Sequence, residues 1–147
     1  MELLNNIWNA LSTPNEGIIN VIMILATLIE SILSLLLFTC LLNISPSRTQ
    51  KISYVFFSTT IGLVAANFIP SPFNTLINFI SSFLIVFFLF KQNILKTFIA
   101  VLSPMLIFGL TGSLILNPYL TIFHLTYEQA ETIPIFRLLY ILIMYTI

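Results

Sequence analysis

Apolar residues dominate five stretches of the chain, and short polar or proline-containing segments separate them. The stretches cover residues 18–42, 52–69, 73–90, 97–116 and 133–147. A helix needs about 20 mostly apolar residues to cross a bilayer, because the hydrocarbon core is about 30 Å thick and each residue rises about 1.5 Å. The first four stretches meet or approach that length, and the fifth stops short of it. The pattern predicts an all-α transmembrane bundle with four full spans and a truncated fifth, forming a single domain over 1–147, and we read the chain as the front portion of a longer protein.

The segments between the stretches predict where the helices begin and end. Thr13 is expected to cap the first span, with Pro14 at its first helical position and Glu16 completing a capping box. Segments rich in Asn, Ser and Pro are expected to end the first, second and fourth spans, at residues 43–47, 69–72 and 117–118. Pro104 is expected to kink the fourth span near its middle.

The N-terminal segment has its own apolar spacing. Leu3, Leu4, Ile7, Trp8 and Leu11 recur at helical intervals. This spacing predicts an amphipathic helix in the headgroup zone, anchored by Trp8, and the alternative is a frayed terminus.

Composition supports a lipid-embedded chain. Of 147 residues, 59% are hydrophobic and 7% are charged, whereas about a quarter of the residues in a soluble domain carry charge. The net charge is zero and the basic residues form no stripe, which argues against nucleic-acid binding. A single cysteine, Cys40, excludes an intrachain disulfide and a multi-thiolate metal site.

Charge placement predicts the orientation of the bundle in the cell membrane. Arg48 and Lys51 follow the first span, and Lys91 and Lys96 follow the third, so both loops are expected in the cytoplasm. The four acidic residues outside the spans fall on the opposite side, at Glu2, Glu16, Glu128 and Glu131, and Arg137, one turn into the fifth span, is the exception to this segregation. We therefore expect a multi-pass protein with its N-terminus outside and its C-terminal end directed to the cytoplasm.

Polar residues within the spans are the candidate ligand-binding groups. Glu30 lies at the centre of the first span, and ionisable residues at such depth are costly and suggest function. The candidate set is completed by polar residues of the outer half of the bundle: Asn67, Asn74, Asn78, Thr111 and Arg137. The alternative is that these groups only hold the helices together through hydrogen bonds. Arg137 is expected either to pair with Glu30 or to extend towards the outer interface, leaving Glu30 protonated or hydrogen-bonded within the bundle.

Catalytic chemistry is not evident in the sequence. A thiol protease needs a base beside its cysteine, but Cys40 and His124 are expected at opposite faces of the membrane. Cys40 is therefore interpreted as a packing residue. We predict that this chain itself carries no catalytic, metal-binding or cofactor-binding residues.

Four segments together resemble a known family: WNALSTPNE at 8–16, LLNI at 41–44 with QKISYV at 50–55, IPSPFNTLIN at 69–78 and IPIFRLLY at 133–140. They resemble the N-terminal membrane region of clostridial sensor histidine kinases with a GHKL-type ATPase domain, which are similar to the peptide receptor kinases of quorum sensing. The resemblance implies the input domain of a two-component system that senses a small extracellular ligand, such as a peptide. It also implies a homodimeric phosphotransferase whose ATP and Mg are bound by a cytoplasmic kinase module outside these residues.

Two other classes are open. A small-solute transporter, or its membrane substrate-binding subunit, would also use Glu30 and a kinked fourth helix. A membrane protease that matures peptide signals is disfavoured by the expected depths of Cys40 and His124.

Overall fold

The computed structural model describes residues 2–70 and 72–146, and these residues form helices joined by short loops, without strands. The helices are α1 (Glu2–Ser12), α2 (Glu16–Leu42), α3 (Arg48–Phe68), α4 (Phe73–Phe90), α5 (Ile94–Phe123), α6 (Tyr127–Thr132) and α7 (Pro134–Thr146). The prediction of an all-α chain is confirmed. The last residue of the predicted fifth span, Ile147, and Ser71 of the predicted turn lie outside the described residues.

Three helices of the described chain are long and apolar enough to cross a membrane, namely α2, α4 and α5. Large apolar side chains such as Leu36, Phe88 and Leu114 are exposed on them, as expected for helices that face lipid. Helix α3 has 21 residues, but hydroxyl side chains interrupt its apolar sequence. Helix α7 is apolar but has only 13 residues. The chain is thus consistent with a membrane protein, and the number of crossings stays a prediction.

The start of α2 differs from the prediction. The Asn15 side-chain oxygen accepts a hydrogen bond from the Ile18 backbone N–H at 3.2 Å, so Asn15 caps the helix. Thr13 instead donates its hydroxyl to the Asn9 carbonyl at 2.7 Å. The assignment of Thr13 as the cap is wrong, because α1 extends to Ser12 and the Thr13 hydroxyl is still within reach of its last turn.

The end of α2 lies where the sequence predicts it. Asn43 has a φ of 52°, and the Ile44 N–H donates to the Thr39 carbonyl at 3.1 Å. This is the hydrogen bond of a Schellman C-cap, in which a left-handed residue ends the helix. Ser47 and Gln50 then form a capping box at the start of α3.

The predicted end of the fourth span at Asn117 and Pro118 is wrong. Helix α5 continues through both residues to Phe123 and ends at His124, whose φ is 51°. A proline inside a helix removes one backbone hydrogen bond, and α5 continues past it with its other backbone bonds in place. The Thr121 hydroxyl also donates to the Asn117 carbonyl at 2.9 Å, which adds a local hydrogen bond at this point.

The N-terminal segment is helical and contacts α7. Leu4 and Trp8 are 69% and 60% exposed, which leaves apolar area free for a membrane surface. Placement of α1 in the headgroup zone stays a prediction.

The described chain divides into two compact units. The central unit comprises Thr27–Phe108, and the terminal unit comprises residues 2–26 and 109–146. The core of the central unit contains Phe38, whose ring meets Tyr54 edge-on at 4.7 Å and Phe90 at 5.7 Å between centroids. Gln50 also donates from its side-chain amide to the Leu89 carbonyl at 2.7 Å, which ties the start of α3 to the last turn of α4.

Candidate functional site

A polar cavity of about 90 Å³ lies within the central unit, and we call it the Glu30 cavity. Most of its lining residues carry hydroxyl, amide or carboxyl groups. They are Thr27, Glu30, Ser31, Ser34, Tyr54, Ser58, Asn78, Ser81 and Ser82, with Ile61, Gly62 and Ile85 completing the wall.

Each of three helices contributes one face to this cavity. The contributions follow helical spacing, at residues 27, 30, 31 and 34 of α2, residues 54, 58, 61 and 62 of α3, and residues 78, 81, 82 and 85 of α4. Residues three and four apart lie on the same side of a helix. Each helix therefore has a narrow polar stripe, and the three stripes meet inside the central unit.

Hydroxyl groups connect α2 to α3 at the cavity. Thr59 donates to the Ser31 hydroxyl at 3.2 Å, and Ser31 donates to the Ser58 hydroxyl at 3.2 Å. The Tyr54 hydroxyl interacts with the side chains of Ser58 and Ser82, which brings α4 into the same network. Several residues that line the cavity are thus also hydrogen-bonded to one another.

Gly62 allows α2 and α3 to approach closely beside the cavity. A Cβ atom at this position would lie 2.9 Å from Cγ2 of Thr27, closer than real Cβ contacts. Small residues that let backbones approach are common where membrane helices pack.

Glu30 carries the formal charge of the cavity. It is exposed at the cavity edge, and none of the lining residues is Lys, Arg or His. Within the described chain, the one ion pair joins two other residues, Arg137 and Glu131. The carboxyl group of Glu30 therefore shares the cavity lining with neutral, mostly oxygen-bearing groups, and none of the lining residues is a counter-ion for it.

The terminal unit contains a second cavity, of about 230 Å³, which we call the Arg137 cavity. It is lined by Leu116, Tyr127, Ala130, Glu131, Arg137 and Tyr140. Helix α6 presents Tyr127 and Glu131 because Thr126 caps it with Gln129 in a capping box, and Arg137 follows in the first turn of α7.

Arg137 is incompletely paired in its cavity. Its Nη1 atom lies 3.5 Å from Glu131 Oε1, and its Nη2 atom lies 3.2 Å from the Met23 sulfur. Its Nε atom is buried and has no hydrogen-bond partner within the described part of the chain. An arginine makes its strongest contacts through two parallel hydrogen bonds to one carboxylate, and this long contact with Glu131 leaves donor capacity unused.

Tyr127 completes the polar edge of the Arg137 cavity. A hydrogen bond to Glu131 raises the pKa of Tyr127, and partial burial raises it further. Both effects favour the neutral hydroxyl of Tyr127, beside the carboxylate that Arg137 contacts.

Tyrosine hydroxyls hold α7 in place within the terminal unit. Tyr119 donates to the Phe136 carbonyl at 2.6 Å, and Tyr140 donates to the Gly112 carbonyl at 3.1 Å. A Cβ at Gly112 would lie 3.3 Å from the Tyr140 hydroxyl, so a larger residue there would require the tyrosine to shift by a few tenths of an ångström.

The structure separates the predicted ligand-binding residues into different environments. Glu30 and Asn78 line the Glu30 cavity, and Arg137 lines the other. Asn67 donates to the Leu63 carbonyl of its own helix at 2.8 Å, and Asn74 accepts from the neighbouring Thr75 N–H at 2.6 Å. Thr111 is absent from both cavity linings.

Sequence reasoning missed most of the hydroxyl groups of the Glu30 cavity and the participation of Glu131 and Tyr127. The signal was present for part of the first set, because Ser34 lies four residues after Glu30, and Ser81 and Ser82 lie three and four residues after Asn78. Both cavities offer groups that bind polar ligands: hydroxyl and carboxyl oxygens in one, and guanidinium, carboxylate and phenol in the other.

Comparisons with protein-family models, curated proteins and solved structures found no match for this chain.

Proposed function

We propose that this chain is the membrane-embedded input region of a sensor histidine kinase. In this proposal a small extracellular ligand, such as a short peptide, binds at the Arg137 cavity, and a cytoplasmic ATP-binding module of the full-length protein receives the signal. Helix α3 is a further crossing, and α1 lies on the outer membrane surface. The observation that carries the proposal is the unused donor capacity of Arg137 beside a cavity of about 230 Å³.

The chemistry of the Arg137 cavity favours a ligand with an acidic group. A ligand carboxylate could form two parallel hydrogen bonds with the guanidinium, which is a stronger arrangement than the 3.5 Å contact with Glu131. The Arg137 and Glu131 side chains are 22% and 43% exposed, so neither is sealed from a ligand. The cavity volume is below the range of about 300–1,000 Å³ for whole drug-sized ligands. It therefore suits the acidic end of a peptide, with the remainder outside.

Because Arg137 lies at the start of α7, a ligand bound to it would affect the packing of that helix. Arg137 lies in the first turn of the helix, and Tyr140, one turn later, bonds the Gly112 carbonyl of α5. A ligand that takes Arg137 from Glu131 would change how the start of α7 packs against α5 and α6. Signalling in this proposal is a shift between two such arrangements, driven by the ligand's preference for one of them.

The proposal requires the Arg137 cavity to face the outside of the cell. Thiol labelling of intact cells tests this requirement in a Cys40→Ala background with a membrane-impermeant maleimide. Glu128→Cys should be labelled directly, and Ser47→Cys only after permeabilisation, because the positively charged loops stay in the cytoplasm. The reverse pattern would contradict the orientation.

Substitution of Arg137 tests the ligand site. The probe is a fluorescein-labelled apolar hexapeptide with a free C-terminal carboxylate, titrated against the full chain in lipid nanodiscs and followed by anisotropy. Arg137→Met should weaken binding by roughly 10–100-fold, the effect of losing hydrogen bonds to a charged group. Arg137→Lys should recover only part of the loss, since a lysine cannot form the paired contacts. Glu131→Gln should strengthen binding, because it removes the competing carboxylate.

Arg48→Met is the matched control, since Arg48 is an exposed arginine at the start of α3. Its binding curve should match that of the unsubstituted chain. Equal binding of the C-terminally amidated peptide, or an equal loss with Arg48→Met, would contradict the site. In the full-length protein, the carboxylate peptide should change phosphate transfer from ATP, and Arg137→Met should abolish that change.

A small-solute transporter is the second candidate, and the Glu30 cavity favours it. Transporters place carboxyl and hydroxyl groups near the middle of the membrane to bind substrates or coupling ions. Uptake of a labelled solute by proteoliposomes that contain the chain would favour this class, whereas peptide-dependent phosphate transfer without uptake would favour the sensor.

A further inference from the structure

The Glu30 cavity is smaller than the pockets of about 300–1,000 Å³ that hold drug-sized ligands. Its volume of about 90 Å³ has room for a small ion together with a few water molecules. Its wall is built mainly from oxygen-bearing side chains of α2, α3 and α4. The size and polarity of the space suit an ion with a few coordinating oxygens.

The charge of the lining indicates which ion would fit. Glu30 is the one formally charged residue in the lining, and the other titratable group facing it is Tyr54 of α3. An ionised carboxylate at membrane depth is costly without a counter-charge. One positive charge neutralises the cavity, whereas a divalent ion would leave an excess positive charge and commonly requires several carboxylates.

The chemistry of the remaining groups agrees with a hard, oxygen-preferring cation. Serine and threonine hydroxyls and the Asn78 amide present oxygen lone pairs, and a hydroxyl can rotate its hydrogen away from an ion. Ser34 and Ser81 line the cavity, and their side-chain hydroxyls form no hydrogen bond among the described residues. Ser31, Ser58 and Tyr54 are held in the hydroxyl network. The cavity therefore combines positioned oxygens with oxygens free to turn inward.

We infer that the Glu30 cavity binds one small monovalent cation of sodium size, with the Glu30 carboxylate as its counter-ion. The ion joins α2, α3 and α4 and stabilises the central unit. This inference uses only residues of the central unit and does not depend on peptide binding at Arg137.

Sodium binding to the full chain in nanodiscs tests the inference. We expect saturable binding of radioactive ²²Na⁺ at one ion per chain. We also expect the thermal unfolding midpoint to be higher in Na⁺ than in choline at the same ionic strength, because a ligand that binds only the folded state stabilises that state. Glu30→Gln should abolish both effects. Arg137→Met should preserve them, so failure of the peptide proposal and failure of this one are distinguishable.

Two further variants keep the test valid if Glu30→Gln fails to fold. Ser34→Ala and Ser81→Ala retain the charge and remove one oxygen each, and each should weaken sodium binding by roughly tenfold, as for a lost contact to a charged group. Ser103→Ala is the matched control, since Ser103 lies in α5 outside the cavity lining and its hydroxyl donates to the Ile99 carbonyl at 2.8 Å. Its sodium binding should be unchanged.

Several results would overturn the inference. One is absence of ²²Na⁺ binding between pH 5 and pH 9, which would indicate a protonated Glu30 in a purely structural hydrogen-bond network. Others are equal stabilisation by choline, equal binding in Glu30→Gln, and displacement of the bound sodium by calcium at equimolar concentration.

Discussion

Phe38→Ala is expected to destabilise the central unit by about 3 kcal/mol. Phe38 is 1% exposed, and its ring packs against Tyr54 and Phe90. Buried Phe→Ala substitutions in soluble proteins cost roughly 3–5 kcal/mol, part of which is transfer of apolar surface from water. In lipid the transfer contribution is reduced, because the unfolded helices remain among apolar tails. The lost packing and the residual cavity account for the remaining cost.

Reversible unfolding in mixed detergent micelles, followed by circular dichroism, measures this free energy. Phe88→Ala is the matched control, since Phe88 lies on α4 like Phe90 but is 69% exposed. It should change stability by less than about 0.5 kcal/mol, as for a substitution away from packed features. A similar loss for the two variants would mean that the core is not where the structure places it.

Gly62→Ala is expected to cost about 2 kcal/mol, within the range for inserting a group into a packed interior. The added Cβ would lie 2.9 Å from Thr27 Cγ2. Threonine is branched at Cβ, and its side chain has few allowed χ1 rotamers. It therefore cannot easily rotate Cγ2 away, and α2 and α3 must separate slightly. This separation also widens the wall of the Glu30 cavity, and sodium binding should weaken in the same variant.

A double substitution identifies the cause of this loss. Thr27→Ser removes Cγ2 and keeps the hydroxyl, so it should recover at least about 1 kcal/mol in the Gly62→Ala background, a coupling typical of contacting residues. Gly109→Ala is the control, because a Cβ there would meet no described atom within 4 Å. It should be neutral or stabilising by up to about 1 kcal/mol, since alanine favours helix. Absence of coupling between residues 27 and 62 would contradict the close approach.

The sequence predicted a helix end well where the end depends on the residues immediately around it. Asn43 ends α2 because an asparagine tolerates the left-handed conformation that a C-cap requires. Pro118 misled the prediction because a proline signal is local, whereas α5 loses only one backbone hydrogen bond by continuing through this residue. Thr13 and Asn15 are both good caps by residue type, and the length of α1 decided between them.

The candidate sites were predictable only in part. Glu30 and Arg137 were evident because charge within an apolar segment is rare. The partners of Arg137 were not evident, because Glu131 belongs to the short helix α6, whose existence depends on the Thr126 capping box. Asn67 and Asn74 were as prominent as Asn78 in the sequence, yet they bond their own helix or neighbour.

By itself, the sequence determined that this chain is helical, where most of its helices end, and that most of its surface suits lipid, because these properties follow from local propensity and the scarcity of charge. Only the tertiary structure decided which polar stripes meet. The Glu30 cavity depends on how α2, α3 and α4 are rotated about their axes and how closely they pack, and contacts such as that between Gly62 and Thr27 set both. Such contacts join residues far apart in the chain, and helical spacing alone cannot specify them.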